Sequence, residues 1–445
     1  MQMKGTQRIN AAGHLEIGGC DTVDLAREFG TPLYVLDEAQ VRGLCREYLQ
    51  QFGARYHHVM VAYAGKALLT KAICAIMESE GLHLDVCSAG ELYTALDADF
   101  PPEHIKFHGN MKLAEELQMC IDNHVGLIVA DSLPELGDIN ELGAGNGTVV
   151  DIAIRVSPGI KAQTHTYTQT GQLDSKFGLG VEYGAAMAGI VAASEMPHLA
   201  LRGIHCHIGS PIFALESYER ATEIMVDLVA DAREQHGIEL ADLNLGGGLG
   251  IRYTHEDAPP SIEHFAERLC GAVLRRCQER GIDPPTLTLE PGRSLVGEAG
   301  TTLYTIGVIK DIPGVRTYVA VDGGLSDNPR PALYGAQYEA IIANKASEPA
   351  SRAVCVAGRH CEADTLISDT TVQEPERGDI LAVFSTGAYN YSMASNYNRF
   401  PRPAMVLVND GEAELITERE TLADLVRQDL VPERLRAQRE VAEAE

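Results

Sequence analysis

The central part of the chain alternates short β-rich runs with longer amphipathic stretches, and this alternation limits the possible folds more than any other feature of the sequence. The β-rich runs are Val59–Ala64, His83–Val86, Ile105–His108, Leu127–Ala130, Ile152–Val156, Gly203–His207, Leu243–Leu245 and Leu287–Glu290. The clearest helical stretches are Leu68–Glu80, Met187–Glu195, Tyr218–Gln235 and Ile262–Arg280. Eight strand–helix units in roughly 230 residues are typical of a (β/α)8 barrel, although a doubly wound parallel sheet has the same alternation.

Polar, reactive or glycine residues follow nearly all of these strands, and their position favours the barrel. They are Lys66, Asp85, Ser88, His108, Asn110, His207, Ser210, Gly246–Gly248 and Glu290–Arg293. The C-terminal ends of barrel strands meet at one face, where the active site lies. We therefore predict an α/β fold with a TIM-like (β/α)8 barrel whose strand ends form the catalytic face.

The pattern changes after Arg293, where short strand-like runs replace the long helices. These runs are Leu303–Lys310, Thr317–Val321, Ala353–Val356, Ile380–Phe384 and Met405–Val408, and the N-terminal segment adds His14–Ile17 and Pro32–Leu36. We predict that residues 1–36 join a C-terminal β-rich domain, that residues 37–293 form the barrel, and that residues 294–445 form the β-domain. A charged terminal helix is predicted over Glu418–Glu445.

Composition excludes several classes of protein. The formal net charge of −27 disfavours binding to nucleic acid or to anionic membranes. No apolar run is long enough to span a bilayer, and no signal peptide opens the chain. The ten cysteines form no CxxC pair and show no zinc-finger spacing, so we expect free thiols, no metal site and a cytoplasmic location.

Four features at the predicted strand ends carry chemistry, although each has a structural alternative. Lys66 is either a surface lysine or a desolvated amine of depressed pKa that forms a Schiff base. The glycine run Gly246–Gly250 is either a tight turn or a phosphate-binding loop. Glu290 is either an ion-paired carboxylate or the partner of a pyridinium nitrogen, and His207 is either a core histidine or a ring that stacks on a cofactor. The combination favours pyridoxal 5'-phosphate (PLP), which needs a lysine, a phosphate site and a carboxylate.

Longer segments place the chain within a known family. They are YAGKAL (Tyr63–Leu68), LDVCSAGEL (Leu84–Leu92), DSKFG (Asp174–Gly178), HCHIGS (His205–Ser210), LGGGLG (Leu245–Gly250), EPGRSLV (Glu290–Val296), RPALYGA (Arg330–Ala336), HCEADTL (His360–Leu366) and GAYNYSMASNYN (Gly387–Asn398). From about Thr31 to Val408 the sequence resembles the fold-type III PLP-dependent decarboxylases. The resemblance implies an alanine racemase-like barrel with a β-domain built from both chain ends.

The resemblance also implies a role for each matching residue. The implied catalytic residues are Lys66, which would carry the cofactor, and Cys361, which would protonate the product carbanion. The implied cofactor-binding residues are Lys66, Asp85, His207, Ser210, Gly246, Gly247, Gly248, Glu290, Pro291, Gly292, Arg293 and Tyr389. The implied substrate-binding residues are Arg293, Arg330, Tyr334, Glu362 and Tyr389. Each active site would be completed across a homodimer interface, with Cys361 reaching the cofactor from the partner subunit.

The activity that the resemblance implies is decarboxylation of meso-2,6-diaminopimelate to L-lysine and CO2, the last step of lysine biosynthesis. Arg293 and Arg330 support a substrate with a second carboxylate, unless one of them is an interface ion pair. Carboxynorspermidine, ornithine, arginine or a carrier-bound amino acid remain alternative substrates. A non-catalytic regulator is disfavoured because Lys66 and Cys361 are both present. One departure is CEADTL (Cys361–Leu366), where the family usually has CESGD and one more residue.

Overall fold

The computed structural model describes residues 3–160 and 175–436 of the chain. Eight parallel strands close into a barrel, since the last strand pairs with the first and the fourth with the fifth. The strands are β1 (Val59–Ala64), β2 (His83–Val86), β3 (Ile105–Phe107), β4 (Leu127–Ala130), β5 (Val150–Ser157), β6 (Leu199–His205), β7 (Asp242–Asn244) and β8 (Thr286–Leu289). A two-residue strand, Leu179–Gly180, pairs with the end of β5. The predicted (β/α)8 barrel is therefore confirmed.

The helices surround the barrel, but the eighth does not follow the eighth strand. They are α1 (Glu38–Gly53), α2 (Lys71–Ser79), α3 (Ala89–Asp97), α4 (Ala114–Asp122), α5 (Leu133–Asn146), α6 (Ala185–Glu195), α7 (Glu216–His236) and α8 (Ile262–Arg280). Helix α1 precedes β1 and packs against α8 and β1, while β8 is followed only by the four-residue helix Arg293–Val296. The expectation that each of the eight strands is followed by its helix is thus wrong for the eighth strand. The helix that completes the ring, α1, precedes the first strand instead.

Side-chain caps fix where the barrel helices begin. Ser88 accepts a hydrogen bond from the Glu91 backbone N–H, and Ser132 and Ser261 cap α5 and α8 in the same way. Three helices end at glycines in the left-handed region, Gly147, Gly237 and Gly281. Ser88, which follows β2 in the sequence motif, therefore starts a helix; it is absent from the lining of the cavity described below.

The β-domain is built from both ends of the chain. Its strands are Leu33–Asp37, Gly300–Ile312, Arg316–Val321, Ala340–Ile342, Arg352–Ala357, Thr365–Val372, Ile380–Phe384, Ala404–Asn409 and Glu412–Thr417. Strand Leu33–Asp37 lies between Gly300–Ile312, to which it is antiparallel, and Ala404–Asn409, to which it is parallel. Apolar side chains of all three strands, including Val35, Leu303 and Val406, share one buried core. The limits 36/37 and 293/294 stay a prediction.

Smaller elements complete the described chain. The N-terminal segment adds strands Arg8–Ile9, Leu15–Ile17 and Cys20–Asp21 and helix Thr22–Phe29, and the β-domain adds helices Arg330–Tyr334 and Leu422–Val426. Single 3-10 turns lie at Gly65–Ala67, Pro102–His104, Ala343–Lys345, Tyr391–Met393 and Tyr397–Arg399. No helix within the described ranges is long and apolar enough to cross a membrane.

The single terminal helix predicted over Glu418–Glu445 is wrong in its described part. Leu422–Val426 forms a short helix, which Thr421 caps; the chain then leaves helical geometry up to Pro432, and residues 433–436 are helical again. Proline lacks a backbone N–H and disfavours helical geometry in the residue before it, so a continuous helix cannot pass this point. Residues 437–445 of the prediction, and Asp174 of the DSKFG segment, lie outside the described residues.

Candidate active site

A cavity of about 1090 Å³ opens at the C-terminal ends of the barrel strands. Eleven residues singled out in the sequence line it: Lys66, Asp85, His108, Asn110, His207, Ser210, Glu290, Arg293, Arg330, Tyr334 and Tyr389. Arg330, Tyr334 and Tyr389 come from the second half of the chain, and the others come from the barrel. The barrel mouth and the β-domain therefore share one site.

Lys66 lies in the 3-10 turn directly after β1, with its side chain 47% exposed towards the cavity. Its Nζ is 3.9 Å from Asp85 Oδ2. Loss of water at the barrel mouth lowers the pKa of Lys66, but the Asp85 carboxylate, the Tyr389 hydroxyl and the Glu290 carboxylate outweigh this effect and raise it. The depressed pKa expected from the sequence is therefore wrong, because two acidic groups face the amine.

Glu290 follows β8 and is almost fully buried at the floor of the cavity. Its Oε2 is 3.0 Å from His205 Nε2, and its Oε1 is 3.0 Å from His108 Nε2 and accepts a 2.6 Å hydrogen bond from Asn244. Burial raises the pKa of Glu290, but the facing His108 and His205 outweigh it and hold the pKa well below its usual range. Glu290 is therefore an ionised carboxylate at the end of the cavity.

His207 also lines the cavity, two residues beyond the end of β6. Burial, reinforced by the nearby Lys66 and Arg155 cations, holds the pKa of His207 well below its usual range. The imidazole is therefore neutral at physiological pH. A neutral ring at this position suits stacking on a flat ligand better than a charged and strongly hydrated one.

The glycines after β7 form a cradle that no side chain could enter. A Cβ at Gly247 would collide with the Glu290 carbonyl oxygen, and one at Gly248 would collide with the Gly209 carbonyl oxygen. Gly246 and Gly248 have positive φ angles of 68° and 113°. Ser210, Gly248, Gly292 and Arg293 line a narrow extension of the cavity beside this turn. The predicted glycine-rich phosphate site is thus a space bordered by backbone and by a guanidinium group, as an anion requires.

Arg293 and Arg330 are both buried, and Tyr253 lies between them. The Arg293 Nη1 donates a 2.5 Å hydrogen bond to the Tyr253 hydroxyl, and the Arg293 Nε donates to Ser210 Oγ at 3.1 Å. The Arg330 guanidinium lies 4.9 Å from the centroid of the Tyr253 ring and donates to the Tyr338 hydroxyl at 2.7 Å. Neither arginine forms an ion pair with a carboxylate among the residues that the structure describes. Two desolvated cations therefore face the cavity and favour an anionic ligand.

Comparison with known proteins identifies the family. Residues 38–297 match the family described as the pyridoxal-binding domain of pyridoxal-dependent decarboxylases. The chain belongs to the pyridoxal-dependent decarboxylases.

Within this family, the similar proteins are diaminopimelate decarboxylases that match along nearly the whole chain. The one from Bacillus subtilis is 48% identical, over 97% of this chain and 98% of its own length. The one from Synechocystis is 45% identical, over 97% and 93%. A solved diaminopimelate decarboxylase from M. jannaschii in co-complex with L-lysine superposes with a TM-score of 0.90 at 38% identity, covering 97% of this chain and 99% of its own.

Two residues assigned from the decarboxylase motifs, Cys361 and Glu362, lie outside the cavity lining. Both are exposed; the Cys361 N–H donates to Asn398 Oδ1 at 3.0 Å, and Glu362 accepts a 2.6 Å hydrogen bond from the Tyr397 hydroxyl. Their loop is held by Asp364, which accepts from the Leu325 N–H at 2.8 Å and pairs with His360. The altered CEADTL segment thus has a defined path, but it does not reach the cavity of its own chain.

Three residues of the decarboxylase site received no role from the sequence. Tyr253 lies in a loop five residues beyond Gly248, and only the folded chain places it between the two arginines. Arg155 and His205 lie within β5 and β6 and line the cavity. Their position in the sequence carries a signal, because a charged or polar residue in an otherwise apolar barrel strand points into the barrel.

Proposed function

We propose that this decarboxylase converts meso-2,6-diaminopimelate to L-lysine and CO2 with PLP as its cofactor. The observation that carries the proposal is the pair of buried arginines, Arg293 and Arg330, at the cavity that also contains Lys66 and Glu290. A second carboxylate on the substrate explains why two cations are held there without acidic partners in the described chain. The near full-length similarity to diaminopimelate decarboxylases supports the same substrate.

The cavity fits PLP at each end. The Lys66 amine would bind the aldehyde carbon, the cradle of Gly246–Gly248 with Ser210 would hold the phosphate, and Glu290 would meet the ring nitrogen. Bound PLP supplies an electron sink for the bond that breaks at the substrate's α carbon. The ionised Glu290 keeps the proton on the ring nitrogen, and the neutral His207 covers one face of the ring. Pro291, Gly292 and Tyr389 complete the cofactor-binding set, while Asp85 holds the Lys66 amine.

The distal end of the substrate would lie against the arginines. Arg330 and Arg293 would bind the carboxylate that is retained, because a guanidinium group offers two parallel N–H donors to one carboxylate. Tyr334 and Tyr389 line the same part of the cavity. A diamine-forming decarboxylase would instead need acidic groups here, so the charge of this end of the cavity selects for a dicarboxylate.

We further propose that two active sites form across a homodimer, with Cys361 and Glu362 completing the site of the partner chain. Both side chains are exposed and outside the lining of their own cavity, yet the loop that carries them is fixed by Asp364. A loop held in this exposed position is available to a second chain. In that position Cys361 would donate the proton to the α carbon, and Glu362 would pair with the distal ammonium group of the substrate.

The substrate assignment is tested by measuring CO2 release with PLP from a panel of amino acids. We expect meso-diaminopimelate to give the highest kcat/KM, and L-lysine to be the product. Ornithine, arginine, lysine and carboxynorspermidine serve as competitors in the same assay. A higher kcat/KM for any of these four would refute the assignment while leaving the cofactor assignment intact.

Mixing two inactive variants tests the shared active site. A Lys66→Ala chain and a Cys361→Ala chain should each be inactive, but a heterodimer contains one site in which both residues are intact. Random exchange is therefore expected to restore up to about a quarter of full activity per total protein. Mixing Lys66→Ala with Lys66→Ala chains is the matched control. Absence of recovery, when subunit exchange is verified with differently tagged chains, would place both residues at one site of one chain.

Glu290→Gln tests the role of the buried carboxylate. Glutamine cannot hold a proton on the ring nitrogen as a carboxylate does, so we expect kcat to fall about 10- to 150-fold while PLP stays bound. This range corresponds to the roughly 1.5–3 kcal/mol of a hydrogen bond to a charged group. Steady-state kinetics and the cofactor absorbance provide the two measurements. Glu263→Gln, an exposed glutamate on α8, is the control, and equal kcat values for Glu290→Gln and the parent would exclude this role.

A further inference from the structure

Two buried histidines beside Glu290 have no part in the proposed reaction. His108 follows β3 and His205 ends β6, and only 5% and 1% of their surfaces are exposed. Their ring centroids are 4.7 Å apart with the ring planes inclined at 71°, and the Nε2 atom of each ring lies 3.0 Å from a Glu290 carboxylate oxygen. With the 2.6 Å hydrogen bond from Asn244, three nitrogens from three different strand ends converge on this one group.

The contacts leave Glu290 little freedom. An ionised carboxylate offers about four lone-pair positions; His205 and Asn244 occupy two of them through hydrogen bonds, and His108 Nε2 lies 3.0 Å from Oε1 without hydrogen-bond geometry. Positions remain for a group in the cavity, which Glu290 lines. A buried carboxylate held by one hydrogen bond on each oxygen can neither rotate nor take up a proton without losing a donor, so its remaining lone pairs have fixed directions.

The two histidines contribute differently. The Nδ1 of His205 finds no hydrogen-bond partner within residues 3–160 and 175–436, and burial lowers the pKa of His205 to about 3. Its single proton therefore lies on Nε2 and points at Glu290, so that it orients the carboxylate without cancelling its charge. His108 Nε2 lies between two carboxylates, 3.0 Å from Glu290 Oε1 and 3.8 Å from Asp85 Oδ1, and Asp85 is in turn 3.9 Å from Lys66.

We propose that His108 and His205 are positioning residues that aim the Glu290 carboxylate at the ring nitrogen of the cofactor, and that His108 also links Glu290 to Asp85 beside Lys66. The proposal rests on the proposed function only in that PLP occupies this cavity. It is independent of which amino acid is the substrate and of whether the site is shared between chains.

The test compares how apoenzymes bind PLP and a PLP analogue in which a C–H group replaces the ring nitrogen. The parent is expected to prefer PLP, because only PLP offers a partner to Glu290. In His108→Asn the amide is too short to bring a nitrogen to the Nε2 position 3.0 Å from Oε1, so this preference should fall by about tenfold or more, in line with loss of a polar contact to a charged group. In His108→Gln, whose amide nitrogen reaches the Nε2 position, most of the preference should return.

Both dissociation constants are measured by titration, and no substrate is needed. Thr288→Val is the matched control, since it removes a buried polar group from β8, inside the same barrel, that makes no hydrogen bond to Glu290. A merely structural role for His108 would weaken binding of both ligands equally and leave the preference unchanged, and this result would overturn the proposal. Equal loss of preference in His108→Asn and His108→Gln would also overturn it. His205→Gln is expected to keep most of the preference for PLP over the analogue, as His108→Gln does.

The outcomes separate this inference from the proposed function. If the parent itself did not distinguish PLP from its carbon analogue, Glu290 would not face the ring nitrogen, and both this inference and the assigned role of Glu290 would fail. If the parent preferred PLP and the histidine variants lost that preference, the inference would stand even if the substrate panel showed an amino acid other than diaminopimelate.

Discussion

Replacing Lys66 with alanine is expected to abolish decarboxylation, with a loss in kcat of about 10⁴-fold or more, as is common when a covalent nucleophile is removed. Among the described residues that line the cavity, Lys66 is the lysine that follows a barrel strand, and its amine faces Asp85 at 3.9 Å. Alanine leaves no amine that could bind the aldehyde of PLP. The variant should show neither the absorbance of the bound cofactor nor a PLP–peptide adduct after borohydride reduction and digestion.

Lys71→Ala is the matched control for this experiment. Lys71 lies five residues later at the start of α2, is exposed, and pairs with Asp97 at 3.1 Å, outside the cavity. It should keep both activity and the reducible adduct. Lys176 also lines the cavity, so an adduct found on a peptide containing Lys176 in the Lys66→Ala variant would show that the cofactor has another attachment point.

The barrel could be predicted because its strands are short, largely apolar runs and nearly all of them are followed by a polar, reactive or glycine residue. β1, β2 and β4 begin and end where the sequence predicts. β5 runs from Val150 to Ser157 and is longer than the predicted Ile152–Val156, because the strand also includes the polar residues Asp151 and Ser157 near its two ends. β6 and β8 end before His207 and Glu290, since these residues turn away from the ladder towards the cavity.

The position of the eighth helix was not predictable from periodicity. The amphipathic stretch that forms α1 precedes the first strand, and only packing against α8 and β1 shows that it closes the ring of helices. The long C-terminal helix was predicted from charge and helix propensity alone. Propensity is a weak guide where no apolar face is packed against a core, and Pro432 breaks the pattern.

The site was predictable to the extent that it follows strand ends. Lys66, Asp85, His207 and Glu290 each lie within three residues of a strand terminus, and the barrel topology brings such termini together. The position of Tyr253 depends on the fold of a long loop, so no local pattern reveals it. The same limit applies to Cys361, whose proposed contacts are with a second chain.

Replacing Arg330 with alanine is expected to reduce kcat/KM for diaminopimelate by about 30- to several-thousand-fold. Removing one partner of a desolvated charged contact costs on the order of 2–5 kcal/mol, and about 1.4 kcal/mol corresponds to a factor of ten. The absorbance of bound PLP should change little, because Arg330 contacts Tyr253 and Tyr338 and is not assigned to the cofactor. The kcat/KM of Arg330→Lys should lie between the values of the parent and of Arg330→Ala, since lysine keeps the charge but lacks the two parallel donors.

The case for a dicarboxylate substrate depends on whether the fall in kcat/KM of Arg330→Ala differs between substrates. Substrates without a distal carboxylate, such as lysine and ornithine, should be poor for the parent and lose much less in Arg330→Ala, because they never form the contact that is removed. Arg316→Ala is the control, since Arg316 also lies over a tyrosine ring, at 5.7 Å from the Tyr318 centroid, but is exposed and outside the cavity. If Arg330→Ala lowered kcat/KM equally for both kinds of substrate, Arg330 would act by supporting Tyr253 and Tyr338, and the selection of diaminopimelate would have to depend on Arg293 and on residues of the proposed partner subunit.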